Sequence, residues 1–140
     1  MVLERDLRSA WPHEGCALLL GEPGRVHWVW PCLNAWQPGA HQAPELSRRN
    51  RFSIDPAELV TAQRWCRDRH WQLLGAAHSH PTGPVMPSAE DLHWGWPGAL
   101  MLIRGYAPLA WGAWSLQGEL GCLQPQALHL QLTGDGHLGK

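Results

Sequence analysis

The sequence has one phenylalanine and one tyrosine among its 140 residues, and it has no large excess of either charge. Its 11 basic and 12 acidic residues give a formal net charge of -1, which predicts no bulk attraction to nucleic acid or to an anionic membrane. No apolar run approaches the roughly 18 residues that a transmembrane helix needs. The N-terminal segment is charged at residues 4–6 and has no apolar signal core, so a cytoplasmic location is predicted.

Cysteine is scarce and scattered: four residues, with no Cys-x-x-Cys pair among them. This spacing argues against a cysteine-based metal site, and in a reducing compartment we expect free, mostly buried thiols. Ten tryptophans take the place of the other aromatic residues, and most of them are expected to fill the core. At this length we expect a single domain over residues 1–140, large enough to bury about two-thirds of its unfolded surface.

Helices are indicated at three places in the sequence. Leu3 and Leu7 recur at helical spacing in a segment that Pro12 ends. Asp55 is a capping carboxylate followed by a proline at the first helical position, which predicts a helix to about residue 69. Ser88 begins a short helix that reaches about residue 94.

Strands are indicated by short apolar runs between glycine-rich and proline-rich turns. They are predicted over residues 16–21, 26–33, 72–79, 99–104 and 109–116, with a weak strand marked by Leu128, Leu130 and Leu132. Strands mixed with helices predict an α/β (α+β) domain, in which a curved mixed β-sheet is flanked by helices.

The segment 78–91 carries the strongest chemical signal. His78 and His80 are one residue apart, so on a strand both imidazoles point to the same face and can chelate zinc. Asp91 follows in the first turn of the short helix and is available as a third protein ligand. Three protein ligands leave the fourth tetrahedral position for water, which is typical of a catalytic zinc.

The pattern His-x-His, seven residues, Ser, two residues, Asp resembles the signature of the JAMM/MPN-type zinc metalloproteases. Glu14 matches the upstream glutamate of that family, although this chain reads Glu-Gly-Cys where members commonly have Glu-x-Cys-Gly. The resemblance continues through residues 52–56 and 113–116. It therefore covers a domain core of about residues 2–116, leaves 117–140 as a variable tail, and implies a cytidine-deaminase-like JAMM/MPN fold.

The resemblance also implies roles for individual residues. His78, His80 and Asp91 would hold one Zn²⁺ per chain, Glu14 would act as general base, and Ser88 would stabilise the oxyanion. The implied activity is that of a prokaryotic-type zinc metallopeptidase. It would cleave a peptide or isopeptide bond after the C-terminal Gly-Gly of a ubiquitin-like or sulfur-carrier protein, with neither nucleic acid nor membrane as partner.

Some alternatives stay open at this point. The main one is a non-catalytic MPN-type scaffold that binds partner proteins, although such domains characteristically lose metal ligands. The basic run at residues 47–51 is either a solvated loop or the lining of a groove for an acidic or extended substrate tail. Trp94 and Trp96 either wall the cleft or pack the adjacent chain. Ser79 is expected to point away from the metal.

Overall fold

The computed structural model describes residues 2–41, 43–107 and 110–131. The elements are α1 (Val2–Ser9), β1 (Cys16–Glu22), β2 (Arg25–Cys32), α2 (Pro56–Arg67), β3 (Gln72–Ser79), α3 (Ala89–Trp94), β4 (Leu100–Arg104), β5 (Trp111–Gln117) and β6 (Gln124–Ala127). The predicted α/β (α+β) class, with a mixed sheet and flanking helices, is confirmed. No helix in these ranges is long and apolar enough to cross a membrane.

The six strands form one sheet in the order β2-β1-β3-β4-β5-β6. Only β3 and β4 are parallel, and each of the other neighbouring pairs is antiparallel. Because β1 runs antiparallel to β3, the start of one strand lies beside the end of the other, with Cys16 opposite His78. This register brings residue 14, which lies just before β1, to the same end of the central strands as the histidines that end β3.

The two faces of the sheet are covered by different helices. On one face, α1 contributes Leu3 and Leu7 to a core cluster that contains Ala17, Leu19 and Ala77 of the central strands. The opposite face of the sheet packs against α2. On that same face, residues of β4 and β5 form a further buried cluster beside α3. Because side chains alternate along a strand, His78 faces away from α1, on the side where α3 lies.

The position of the last strand is corrected by the structure. The alternating Leu128 and Leu130 lie in irregular chain, and Leu132 and the tail residues after it are outside the described residues. Residues 108–109, at the start of the predicted strand 109–116, are also outside them. Instead, β6 pairs with β5 directly after a turn in which Gly118 and Gly121 have positive φ. Backbone pairing to the open side of β5 therefore fixes this strand, and its polar sequence gives no alternation from which to predict it.

Candidate metal and active site

The two histidines of the motif lie at the end of β3. His78 has an exposed fraction of 0% and its ring stacks on Phe52, with ring centroids 4.6 Å apart. His80 lies just past the strand, and its Nδ1 is 2.7 Å from the carbonyl oxygen of Pro84. A carbonyl can only accept, so Nδ1 carries the hydrogen and donates it. This tautomer leaves the lone pair of His80 on Nε2, where a metal can bind it.

Asp91 is held by the first turn of α3. The backbone N–H of Ser88 donates to Asp91 Oδ2 at 2.8 Å, and the backbone N–H of Asp91 donates to Ser88 Oγ at 3.1 Å. These reciprocal bonds form a capping box, which satisfies two N–H groups at the helix start. The same contacts fix the direction of the Asp91 carboxylate, which is buried and points toward the histidines.

Three potential ligand atoms converge at this point. His78 Nε2 lies 3.0 Å from His80 Nε2 and 3.1 Å from Asp91 Oδ2. His80 Nε2 lies 3.2 Å from Asp91 Oδ2, so the three atoms form a nearly equilateral triangle. Two ligand atoms at the usual 2.0–2.2 Å from a tetrahedral zinc lie about 3.3 Å apart, so the triangle has nearly the required size. Two imidazoles and one carboxylate are also a donor set that zinc accepts. The residues therefore fit a metal ion.

Burial and mutual contact shift the pKa values of all three side chains. Burial lowers the pKa of His78, because the charged imidazolium loses its hydration. Burial alone would raise the pKa of Asp91, but the hydrogen bonds that its carboxylate accepts from His78 and from doubly protonated His80 outweigh burial and hold that pKa well below its ordinary value. For His80, burial is opposed by hydrogen bonds to Asp91 and to the Pro84 carbonyl, and the pKa is raised.

Glu14 lies immediately before β1, with 6% of the residue exposed. Its backbone N–H donates to the Arg48 carbonyl at 2.7 Å. Burial raises the pKa of its carboxyl to about 8, opposed by the charges of His80 and Arg51 and assisted by that of Asp91. The structure therefore places Glu14 within electrostatic reach of His80 and Asp91, although it comes from a distant part of the chain.

Ser88 and Ser79 differ in what their hydroxyls do. Ser88 is exposed at the start of α3, and since its oxygen accepts from Asp91, its hydroxyl hydrogen remains able to donate. Ser79 points to the opposite side of β3, as expected. Its Oγ accepts from the Gly15 N–H at 2.8 Å, and its own N–H donates to the Gly15 carbonyl at 3.0 Å. Ser79 thus fastens the segment that carries Glu14 to the strand that carries the histidines.

Two arginines of the basic loop bond to backbone carbonyls, and the two tryptophans differ in exposure. Arg48 Nε donates to the Trp36 carbonyl and Arg51 Nη1 to the Asn50 carbonyl, so both guanidinium groups help to shape the loop. Trp94 is 73% exposed and its Nε1 donates to Glu90. Trp96 is 37% exposed and lines a groove with residues of β3 and of the β1–β2 turn, apart from the metal ligands.

Three contributions to the site were not predicted. Phe52 stacks on His78, the Pro84 carbonyl sets the tautomer of His80, and Asn34 donates to the carbonyl of Glu14. Phe52 is the only phenylalanine in the chain, and its place before the capped start of α2 could have indicated a role for its ring in the site. A backbone carbonyl and a single loop asparagine give no such signal, because any residue type supplies the former and turns use the latter widely.

The pKa of Glu14 predicts how the metal-free protein responds to pH. Because its pKa is raised from 4.5 to about 8, the folded state keeps a proton that the unfolded chain releases in this range, and stability falls as pH rises through it. Glu14→Gln removes this titration. Measured by denaturant unfolding with chelator present, we expect the variant to be close to wild type at pH 5 and more stable than wild type at pH 8.5. A stability difference that does not change with pH would contradict this assignment.

The fold and the ligand cluster together define a JAB/MPN-type domain with a potential metal site. The chain belongs to the family described as prokaryotic homologs of the JAB domain, whose model matches residues 2–117. This family includes metallopeptidases, and it also includes members that can be non-catalytic.

The chain is also similar to proteins of solved structure. The chain is similar to a protein from Desulfitobacterium hafniense with 28% identity and a TM-score of 0.71, over 99% of this chain and 92% of that one. It is also similar to a protein from Salinibacter ruber with 26% identity and a TM-score of 0.56, over 89% of this chain and 84% of the other. No curated protein matches the chain.

Proposed function

We propose that this protein is a zinc-dependent metallo(iso)peptidase that hydrolyses the bond after the C-terminal Gly-Gly of a ubiquitin-like or sulfur-carrier protein. The observation that carries the proposal is the convergence of ligand atoms of His78, His80 and Asp91 within 4.8 Å of one another. A buried carboxylate of raised pKa in the same environment is what a hydrolytic metal site needs in addition.

Each side chain has a defined part in this reaction. One zinc ion per chain, held by His78, His80 and Asp91, would polarise the substrate carbonyl and make water acidic enough to be deprotonated near neutral pH. The Glu14 carboxylate, whose ionised form the charge of that ion would favour, takes the proton of the attacking water and returns it to the nitrogen of the leaving amine. The Ser88 hydroxyl donates to the oxyanion that develops on the attacked carbonyl, and one such donor is worth about 3 kcal/mol of barrier.

The substrate is proposed from the space and backbone that such a site offers. An extended tail can pair with a strand edge, and glycines pass close to a metal where a side chain would clash. Most of the binding energy then comes from the folded carrier outside the cleft, so unstructured peptides should be poor substrates. We place this reaction in the cytoplasm, where the four free thiols would remain reduced.

The complete set of site residues favours this function over the non-catalytic scaffold. A scaffold has no need for three convergent ligands, nor for a carboxylate buried at a cost in solvation. Here all three ligands, the glutamate and the serine are present together.

The test is to mix the purified enzyme with a carrier protein extended by one residue after its Gly-Gly end, and to follow intact mass. We expect release of that residue, and we expect a zinc chelator to block it. An otherwise identical carrier ending in Ala-Ala is the matched control and should be cleaved at least about tenfold more slowly, since its methyl groups crowd the approach to the metal. Equal cleavage of the two carriers would contradict the substrate, and no cleavage of either would contradict the activity.

A further inference from the structure

Asn34 follows β2 and is half-buried at the junction of three chain segments. Its Nδ2 donates to the carbonyl oxygens of Glu14 at 3.0 Å and Arg51 at 2.9 Å, with a longer contact of 3.5 Å to that of Arg48. Its Oδ1 accepts from the backbone N–H groups of Trp36 at 3.1 Å and Ser53 at 3.3 Å. The side-chain amide of Asn34 therefore bonds through both its nitrogen and its oxygen. In this way it joins the Glu14 segment to the loop that leads from β2 to α2.

The segments that Asn34 joins carry the parts of the site that are not on β3 or α3. Glu14 donates its own N–H to the Arg48 carbonyl, so the asparagine and the loop hold the backbone of Glu14 from both sides. Residue 51, the second strong acceptor, immediately precedes Phe52, whose ring stacks on His78. Asn34 thus contacts the Glu14 backbone directly, and its second strong acceptor lies one residue before the ring that stacks on the first histidine.

We infer that Asn34 is a positioning residue, which fixes the carboxylate of Glu14 for proton transfer by donating to the Glu14 backbone carbonyl. The inference rests on the proposed function, in which Glu14 is the base. Proton transfer requires the carboxylate to lie within hydrogen-bond reach of the water, and misplacement by about 1 Å is enough to reduce the rate severely. The Glu14 side chain extends from a segment outside the strands, so hydrogen bonds to its backbone take the place of strand pairing.

The matched substitution is Asn34→Asp. A carboxylate in this place still accepts from Trp36 and Ser53, but it has no hydrogen to donate to Glu14 or Arg51. The control is Asn50→Ala, in the same loop. Asn50 donates to the Glu45 carbonyl at 3.0 Å and accepts from the Ser47 N–H at 2.9 Å, so the control removes side-chain bonds from the loop without touching Glu14.

Amide hydrogen exchange of the chelator-treated protein tests the position of Glu14 without any activity. We expect the Glu14 amide to exchange at least about tenfold faster in Asn34→Asp, and at the wild-type rate in Asn50→Ala. Unchanged exchange in Asn34→Asp would overturn the inference, even if the protein proves not to be a peptidase. If Asn34→Asp does not fold, Asn34→Ala, whose side chain has no hydrogen-bond donor, takes its place in the same measurement.

Kinetics of the zinc-loaded enzyme on the carrier then separate positioning from a merely structural role. We expect Asn34→Asp to lower kcat about tenfold, with KM and zinc content close to wild type. In a Glu14→Gln background the same substitution should change kcat less than about twofold, since the two residues act through one group. A full tenfold loss in that background, or an unchanged kcat in the single variant, would overturn the inference.

Discussion

Glu14→Gln is expected to reduce hydrolysis of the carrier at least about a hundredfold while the protein keeps its fold and its zinc, because an amide cannot accept the proton of water. The substitution preserves the shape of the side chain, and it leaves in place both backbone hydrogen bonds that hold this position. Initial rates at saturating carrier, together with elemental analysis of the same samples, measure both parts of this prediction.

The control for this substitution is Glu119→Gln. Glu119 is exposed in the turn before β6, so the control makes the same change of charge and leaves the site intact. It should retain wild-type activity. A Glu14→Gln enzyme as active as wild type would show that the base lies elsewhere, and that the N-terminal segment does not correspond to the glutamate segment of the family.

His80→Ala is expected to lose most of the bound zinc. Protein purified without chelator should contain close to one zinc per wild-type chain, because three protein ligands converge there. The substitution removes one ligand and the hydrogen bond to the Pro84 carbonyl, and it leaves the capping box of Ser88 and Asp91 in place. Elemental analysis and a competition titration with a chromogenic chelator measure the loss.

His80 is preferable to Asp91 for this test, because removing Asp91 would also weaken the start of α3. His93→Ala is the matched control, since His93 is an exposed histidine on the same helix and should leave zinc content unchanged. Folded wild-type protein that takes up no zinc, or a His80→Ala variant that binds it as tightly as wild type, would contradict the metal site.

The parts of the fold that local chemistry dictates were predictable from the sequence. The strand over residues 72–79 has the predicted bounds, because an apolar run ends there at the His-Ser-His-Pro sequence. Asp55 caps α2 through a 2.9 Å bond from the Ala57 N–H, with proline at the first turn, as expected. The spacing within residues 78–91 predicted that two histidines and a carboxylate would meet, and the structure brings them together.

What could not be predicted depends on distant pairing. The strand expected from Leu128 onward was wrong because β6 is placed by hydrogen bonds to β5, to which the side chains of Gln124–Ala127 give no clue. The role of Asn34 depends on three carbonyl groups that are brought together only in the folded chain. Glu14 was predicted from the family resemblance, and the register of β1 against β3 gives the physical reason why a glutamate before a strand lies at the same end of the sheet as the histidines.

The distribution of the site along the chain has a consequence for how activity arises during folding. The three potential metal ligands lie within fourteen consecutive residues, whereas Glu14 reaches them through long-range contacts, the pairing of β1 with β3 foremost among them. Closing so long a loop requires most of the central sheet to form, while the short histidine–aspartate segment needs only local order. A nascent or partly unfolded chain could therefore bring the three potential ligands together without Glu14 beside them, and the proposed hydrolysis would begin only when the central sheet has formed.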